Sequence, residues 1–136
     1  MSIQNFSLFL TDKVSNRRIY SKLIDLNKFY EIDPIKRNEI IFKKISFTLK
    51  NAYENIPYYY DLAEKNNLKE IFLNFKMHNL KDIPLINKKI LKKKNKYFLR
   101  SDIQKKINYC NTNGSTGGRF SVAYDQDAMD WSSAVM

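Results

Sequence analysis

The chain has one cysteine (Cys110), one histidine (His78), and only three prolines and three glycines in 136 residues. A single cysteine excludes an internal disulfide framework and suits a reducing compartment. Cys110 therefore reads as a small buried residue. A lone histidine without cysteine or carboxylate companions makes no metal site, so His78 reads as a surface or packing residue. No apolar run approaches the roughly 18 residues that a membrane-spanning helix needs. The opening Met1-Ser2-Ile3-Gln4-Asn5-Phe6 also lacks a basic stretch ahead of its short apolar patch. A soluble, cytoplasmic protein is expected. Acids are scarce too: 14 stand against 24 basic residues, a formal net charge of +10.

What is present points to a folded chain. Hydrophobic residues make up 43% and aromatics 14%, enough to bury the core of one domain-sized unit. The excess charge is concentrated. Between Ile86 and Lys106, nine basic residues (Lys88, Lys89, Lys92, Lys93, Lys94, Lys96, Arg100, Lys105, Lys106) face one acid, Asp102, for a net +8. Such a stretch can meet nucleic acid, a membrane surface or a phosphate-rich ligand. The plainer reading is a solvated helix face. Only Tyr97 and Phe98 interrupt the cluster, too few for a platform on which bases stack.

Helical periodicity governs the first hundred residues. Ile19, Tyr20, Leu23, Ile24 and Leu26 define one helix, with Asn16 as its expected cap and Asp33-Pro34 as its break. A longer helix follows, lined by Ile41, Ile45, Leu49, Ala52 and Ile56, until Ile56-Pro57 interrupts it. A short helix starts at Pro57, carries Tyr58, Tyr59 and Tyr60 against a neighbour, and leaves through Asn66-Asn67. Residues 69–77 suggest another short helix, 80–84 a connector, and Asn87 the cap of a helix over 88–96 with Ile86, Ile90 and Leu91 on its buried side. Phe120-Ser121-Val122-Ala123-Tyr124 alternates as a strand does, with no obvious partner. Asp125 then caps a helix containing Met129, Trp131, Ala134 and Val135. Asp125, Asp127 and Asp130 read as a dipole-compatible helix start, since their spacing lacks the glycine of a calcium loop. The pattern stops at Met136, so a truncated chain or fragment is expected, with Val122, Tyr124, Trp131 and Val135 abnormally exposed. The expected fold is mainly α with a short strand or hairpin. Residues 1–106 form the helical region and 107–136 carry the loop, strand and helix start of a single fragment.

All three glycines fall in Asn111-Thr112-Asn113-Gly114-Ser115-Thr116-Gly117-Gly118-Arg119. Glycine allows left-handed dihedrals and lets main-chain amides approach a ligand closely. With the hydroxyls of Ser115 and Thr116, the run offers the donors that phosphate oxygens require. It is not a Walker A sequence, which needs a lysine and a four-residue gap between glycines. It is not a dinucleotide fingerprint, which opens a helix directly after a strand. On composition alone, a hairpin turn without chemical role stands beside the phosphate loop.

Read with its neighbours, Thr112–Gly118 resembles the T-S-G-S-T-G-x-P signature of adenylate-forming enzymes, nearest to the phenylacetate–CoA ligase branch with its CapK-type proteins of capsular polysaccharide biosynthesis. Ile56-Pro57-Tyr58-Tyr59 is similar to that branch's early hP-x-Y segment. Leu80-Lys81-Asp82-Ile83-Pro84-Leu85-Ile86-Asn87-Lys88 is similar to its L-x-x-h-P-h-h-T-K segment. The resemblance runs from about residue 36 to the end. Asn113 stands where the family usually has Ser, Asn87 where it has Thr, and Arg119, a cation beside the loop, where Pro is common.

The resemblance implies the N-terminal part of an α/β (α+β) ligase domain. Such enzymes join an acyl or aryl carboxylate to the α-phosphate of ATP, expel pyrophosphate, and pass the acyl group to a thiol such as coenzyme A. Thr112, Asn113, Gly114, Ser115, Thr116, Gly117, Gly118 and Arg119 would then grip the β- and γ-phosphates, with Mg2+ sharing their charge. In the family, the adenine pocket, ribose-binding acid, metal-binding glutamate and lid lysine lie downstream. The chain by itself is accordingly expected not to catalyse adenylation. The alternative is a small basic helical module that binds nucleic acid or an anionic surface through Lys88–Lys106. The acyl substrate, its acceptor and the oligomeric state are not legible.

Overall fold

The computed structural model describes residues 3–93, 95–100, 107–112 and 120–136. It is mainly helical, with one two-stranded antiparallel sheet among the described residues. The chain divides into two compact units. One comprises Met1–Arg37 with Lys105–Met136, and the other Asn38–Gln104. Among the described residues no helix is long and apolar enough to cross a membrane.

The first unit begins with α1 (Ile3–Ser15) and α2 (Ile19–Glu31). The link between them is set by Asn16, whose φ of 52° is left-handed. Asparagine tolerates that region, and the Arg17 amide then reaches back to Asp12 O at 2.9 Å, closing the last turn of α1. Asn16 therefore ends α1; it is not the expected cap of α2. That duty falls to two distant aspartates. Tyr20 N donates to Asp12 Oδ2 at 2.6 Å and Arg18 N to Asp130 Oδ2 at 2.9 Å, satisfying amides that a helix start leaves open. Asp33 performs the predicted break. Its Oδ1 accepts from Ile35 N at 2.9 Å, starting α3 (Pro34–Asn55). The Arg37 guanidinium donates back to the Tyr30 and Ile32 carbonyls near the end of α2.

β1 (Asn108–Thr112), β2 (Phe120–Tyr124) and α7 (Gln126–Val135) complete this unit. The expected short strand or hairpin is a pair of strands: β2, which the sequence shows with no obvious partner, pairs antiparallel with β1. The expected exposure holds for Val135 alone; Val122, Tyr124 and Trp131 are half-buried. Among the described residues, the buried side chains of this unit are two acids, Asp12 and, wholly buried, Asp130.

The second unit has an apolar core. α3 presents Ile45, Leu49 and Ala52 along one face, while Ile41 at the edge of that row is exposed. Ile56 is extended (φ −118°, ψ 112°), and Pro57 opens α4 (Pro57–Lys65), where the missing N–H of proline costs nothing. Asn67 (φ 57°) and the bond from Leu68 N to Ala63 O at 2.8 Å form the exit anticipated at Asn66-Asn67. α5 is shorter than expected, Lys69–Leu73. Phe75 and the 3-10 turn Met77–Asp82 follow where a continuing helix and then a connector were anticipated.

Tyr53, Ala63 and Phe72 form the centre of this core, with Leu49, Tyr59, Leu62, Leu68, Leu73 and Ile83 packed around them. Full burial of a phenylalanine side chain such as Phe72 stabilises by about 2–3 kcal/mol. Phe42 stacks on Phe75 at 5.8 Å, and Tyr58 on Phe98 at 4.0 Å, so the tyrosine run does pack against neighbours. Asn87 caps α6 (Lys88–Lys93) as expected, its Oδ1 accepting from Ile90 N at 3.0 Å. The helix stops at Lys93, and a 3-10 turn covers Asn95–Phe98. Ile86, Ile90 and Leu91 are half-buried.

Candidate functional site

The candidate phosphate loop is bounded by paired strands. In the β1–β2 ladder, Asn108 faces Tyr124, Cys110 faces Val122, Asn111 faces Ser121 and Thr112 faces Phe120. Thr112, the first of the expected loop residues, thus ends β1 in register with the first residue of β2. Asn113, Gly114, Ser115, Thr116, Gly117, Gly118 and Arg119 lie outside the described residues. One step back along the ladder, Ser121 Oγ donates to Asn111 Oδ1 at 2.6 Å. A cross-strand polar pair of this kind adds to the backbone bonds that fix register.

Cys110 is exposed, not buried as expected. Its neighbours Tyr109 and Asn111 are exposed as well, so neither face of β1 is covered at this point. Cys110 sits between Tyr109 and Asn111 on a two-stranded ribbon, which is too thin to bury both of its faces.

The segment after β2 is pinned by charge. Asp125 Oδ1 accepts from Ala128 N at 2.8 Å, the expected N-cap of α7. Arg17 Nε donates to Asp130 Oδ1 at 2.8 Å and its Nη2 to Ser133 Oγ at 3.2 Å. Asp127 Oδ1 accepts from Arg18 Nη2 at 2.9 Å and from Lys22 Nζ at 2.6 Å. Lys22 also lies 4.6 Å above the Trp131 ring, so the cation meets both a carboxylate and a π face. Gln126 Nε2 donates to Asp130 Oδ1 at 2.9 Å. Burial pushes the Asp130 carboxyl up, but hydrogen bonds from Gln126, Arg17 and the Arg18 amide, with the nearby guanidinium charge, outweigh it. The net shift is downward. α7 is thereby fastened to the α1–α2 corner, and the strand leading into it leaves the candidate loop.

The basic cluster is only partly within the described residues. Lys88, Lys89, Lys92 and Lys93 are exposed on α6, Lys96 is exposed on the following turn, and Arg100 is half-buried. Lys94, Lys105 and Lys106 lie outside the described residues. His78 is exposed. Among the described residues no group of three or more His, Cys, Asp or Glu could hold a metal ion.

Reading the sequence missed the Arg17–Asp130 contact, because nothing in the periodicity of either helix ties residues so far apart. The visible signal was slight: Arg17-Arg18 ahead of one helix, and Asp127 and Asp130 three apart in the first turns of another. The chain matches no protein-family model, no curated protein and no solved structure.

Proposed function

We propose that the chain carries the phosphate-gripping loop of an ATP-dependent, adenylate-forming ligase of the phenylacetate–CoA ligase and CapK-like branch, with Thr112 to Arg119 as the grip. The observation that supports this most is the run Thr112–Gly118 itself, in which every residue is a glycine, a hydroxyl or an amide. The pairing of Thr112 with Phe120 adds to it, because it brings both ends of the run to one place. The capped helix that follows β2 is the order of elements the family resemblance calls for.

In this reading a carboxylate oxygen of an acyl or aryl acid attacks the α-phosphorus of ATP. The bond to the departing pyrophosphate breaks, leaving acyl-AMP. A thiol such as coenzyme A then takes the acyl group and releases AMP. The amides of Gly114, Gly117 and Gly118 and the hydroxyls of Thr112, Ser115 and Thr116 meet the negative charge that grows on pyrophosphate. Arg119 adds a cation beside it. Mg2+, arriving with ATP as its counter-cation, would share that negative charge. Capsular or surface polysaccharide synthesis is the setting that the CapK-like resemblance suggests.

Arg119 offers a tryptic cleavage site at the end of the proposed grip. Trypsin should cut after Arg119 more slowly in Mg·ATP or pyrophosphate, and a Ser115→Ala/Thr116→Ala variant should lose that protection while keeping its circular dichroism. Cleavage that ignores both ligands in the parent chain would sink the proposal. RNA affinity that falls steeply with salt would favour the other reading, a basic helical module. The exposed lysines of α6 are the observation behind it.

A further inference from the structure

The corner between α3 and α4 forms an open cleft of about 330 Å³ whose lining runs against the charge of the chain. That volume falls at the small end of the roughly 300–1,000 Å³ typical of ligand pockets. Tyr53, Tyr60, Ile56 and Pro57 line it with aromatic and apolar surface, Asn55 adds an amide, and Glu54 and Asp61 add two carboxylates. None of its lining residues is basic, in a protein with 24 lysines and arginines.

The corner follows from the local sequence. A residue ahead of proline is driven out of the helical region, so Ile56 is extended and α3 cannot run on into α4. The last turn of α3 and the first turn of α4 therefore face each other across the break. Tyr53 is buried and held by a hydrogen bond from its hydroxyl to Glu64 Oε1 at 2.7 Å. Tyr60 is 50% exposed, its ring 5.4 Å from that of Tyr53 and tilted by 30°. Asp61 is steadied by the Tyr97 hydroxyl, which donates to its Oδ2 at 2.6 Å.

Cations already gather around this corner from outside its lining. Lys50 lies 3.9 Å from Glu54, Lys65 lies 3.9 Å from Asp61, and Lys69 sits 6.0 Å from the centre of the Tyr53 ring. The two ion pairs are long, exposed and therefore weak, and a better-fitting cation can replace them. Aromatic faces favour a cation that sheds water readily, which an alkylated nitrogen does and a small inorganic ion does not.

We infer that this cleft binds an organic ammonium group of the choline type. The exposed ring of Tyr60, backed by Tyr53, meets the cation, and Asp61 and Glu54 balance its charge. The test is an amide NMR titration of the whole chain at constant ionic strength. Choline is compared with 3,3-dimethyl-1-butanol, its neutral counterpart of the same shape. Choline should shift the amides of residues 53–61, and the alcohol should not. Tyr60→Ala and Asp61→Asn should each weaken choline binding by about fivefold or more, whereas Tyr60→Phe keeps the ring and the affinity. Should Tyr60→Ala disturb the fold, Asp61→Asn and Tyr60→Phe carry the comparison. The inference is overturned if the alcohol shifts the same amides as strongly. It is equally overturned if choline leaves them unmoved, if Asp61→Asn binds as the parent does, or if Tyr60→Phe loses binding.

Discussion

Arg17 and Asp130, 113 positions apart, meet at 2.8 Å and make the tie between the corner of the first two helices and the last one. The carboxylate is almost wholly buried, and the guanidinium is about a quarter exposed. Such a pair adds little over an apolar contact of the same size, but removing one partner strands the other. Asp130→Ala should therefore cost about 3 kcal/mol, the size expected when a buried ion pair is broken. It also uncaps the Arg18 amide. Urea unfolding followed by Trp131 fluorescence measures this, and a double cycle with Arg17→Ala separates the pair from its surroundings.

Acid should find the same point. The Asp130 carboxyl titrates below its ordinary 3.8. Its contribution is complete above that ordinary value and drains away as pH falls through the lowered one. Stability should drop as pH falls below the ordinary carboxyl value of 3.8. The Asp130→Asn variant, which has no proton to take up there, should show a shallower fall. Equal slopes for the two proteins would contradict the assignment.

The second unit depends on volume instead. Phe72 is wholly buried between Tyr53 and Tyr59, with ring centroids 6.4 and 6.2 Å away. Phe72→Ala should cost about 3–5 kcal/mol, and Phe72→Leu distinctly less, because a cavity adds to the lost transfer energy. Hydrogen exchange at the amides of α4 and α5 gives the readout.

At Asn67 the backbone decides. Its φ of 57° lets the helix close on Ala63 O. Asn67→Gly should be neutral or slightly stabilising, and Asn67→Ala should lose about 1 kcal/mol, the steric toll of a Cβ in the left-handed region. Thermal melts of the two variants should fall on opposite sides of the parent or in that order.

The helices were legible because their signals are local. Asp33, Pro57, Asn87 and Asp125 start helices by chemistry that needs no knowledge of the rest of the fold. Failures occurred where distant residues decide. Asn16 looked like a cap for α2, yet the amides there are taken by Asp12 and Asp130, the second of which no local pattern could supply. β1 passed unnoticed because Asn108-Tyr109-Cys110-Asn111-Thr112 lacks the apolar alternation of β2, and its pairing is set by the partner strand. Cys110 was expected to be buried, but the two-stranded ribbon leaves it exposed. Of the expected phosphate loop, only Thr112 lies among the described residues.

The two buried aspartates have a thermodynamic signature of their own. Heat capacity and denaturant sensitivity on unfolding grow with the surface laid bare, and apolar surface raises the heat capacity while polar surface lowers it. Residues 38–104 contain every fully buried apolar side chain among the described residues, whereas the other unit closes around Asp12 and Asp130. Unfolding of residues 1–37 with 105–136 should thus carry the smaller heat-capacity change per residue, and its stability should vary more gently with temperature than that of its neighbour.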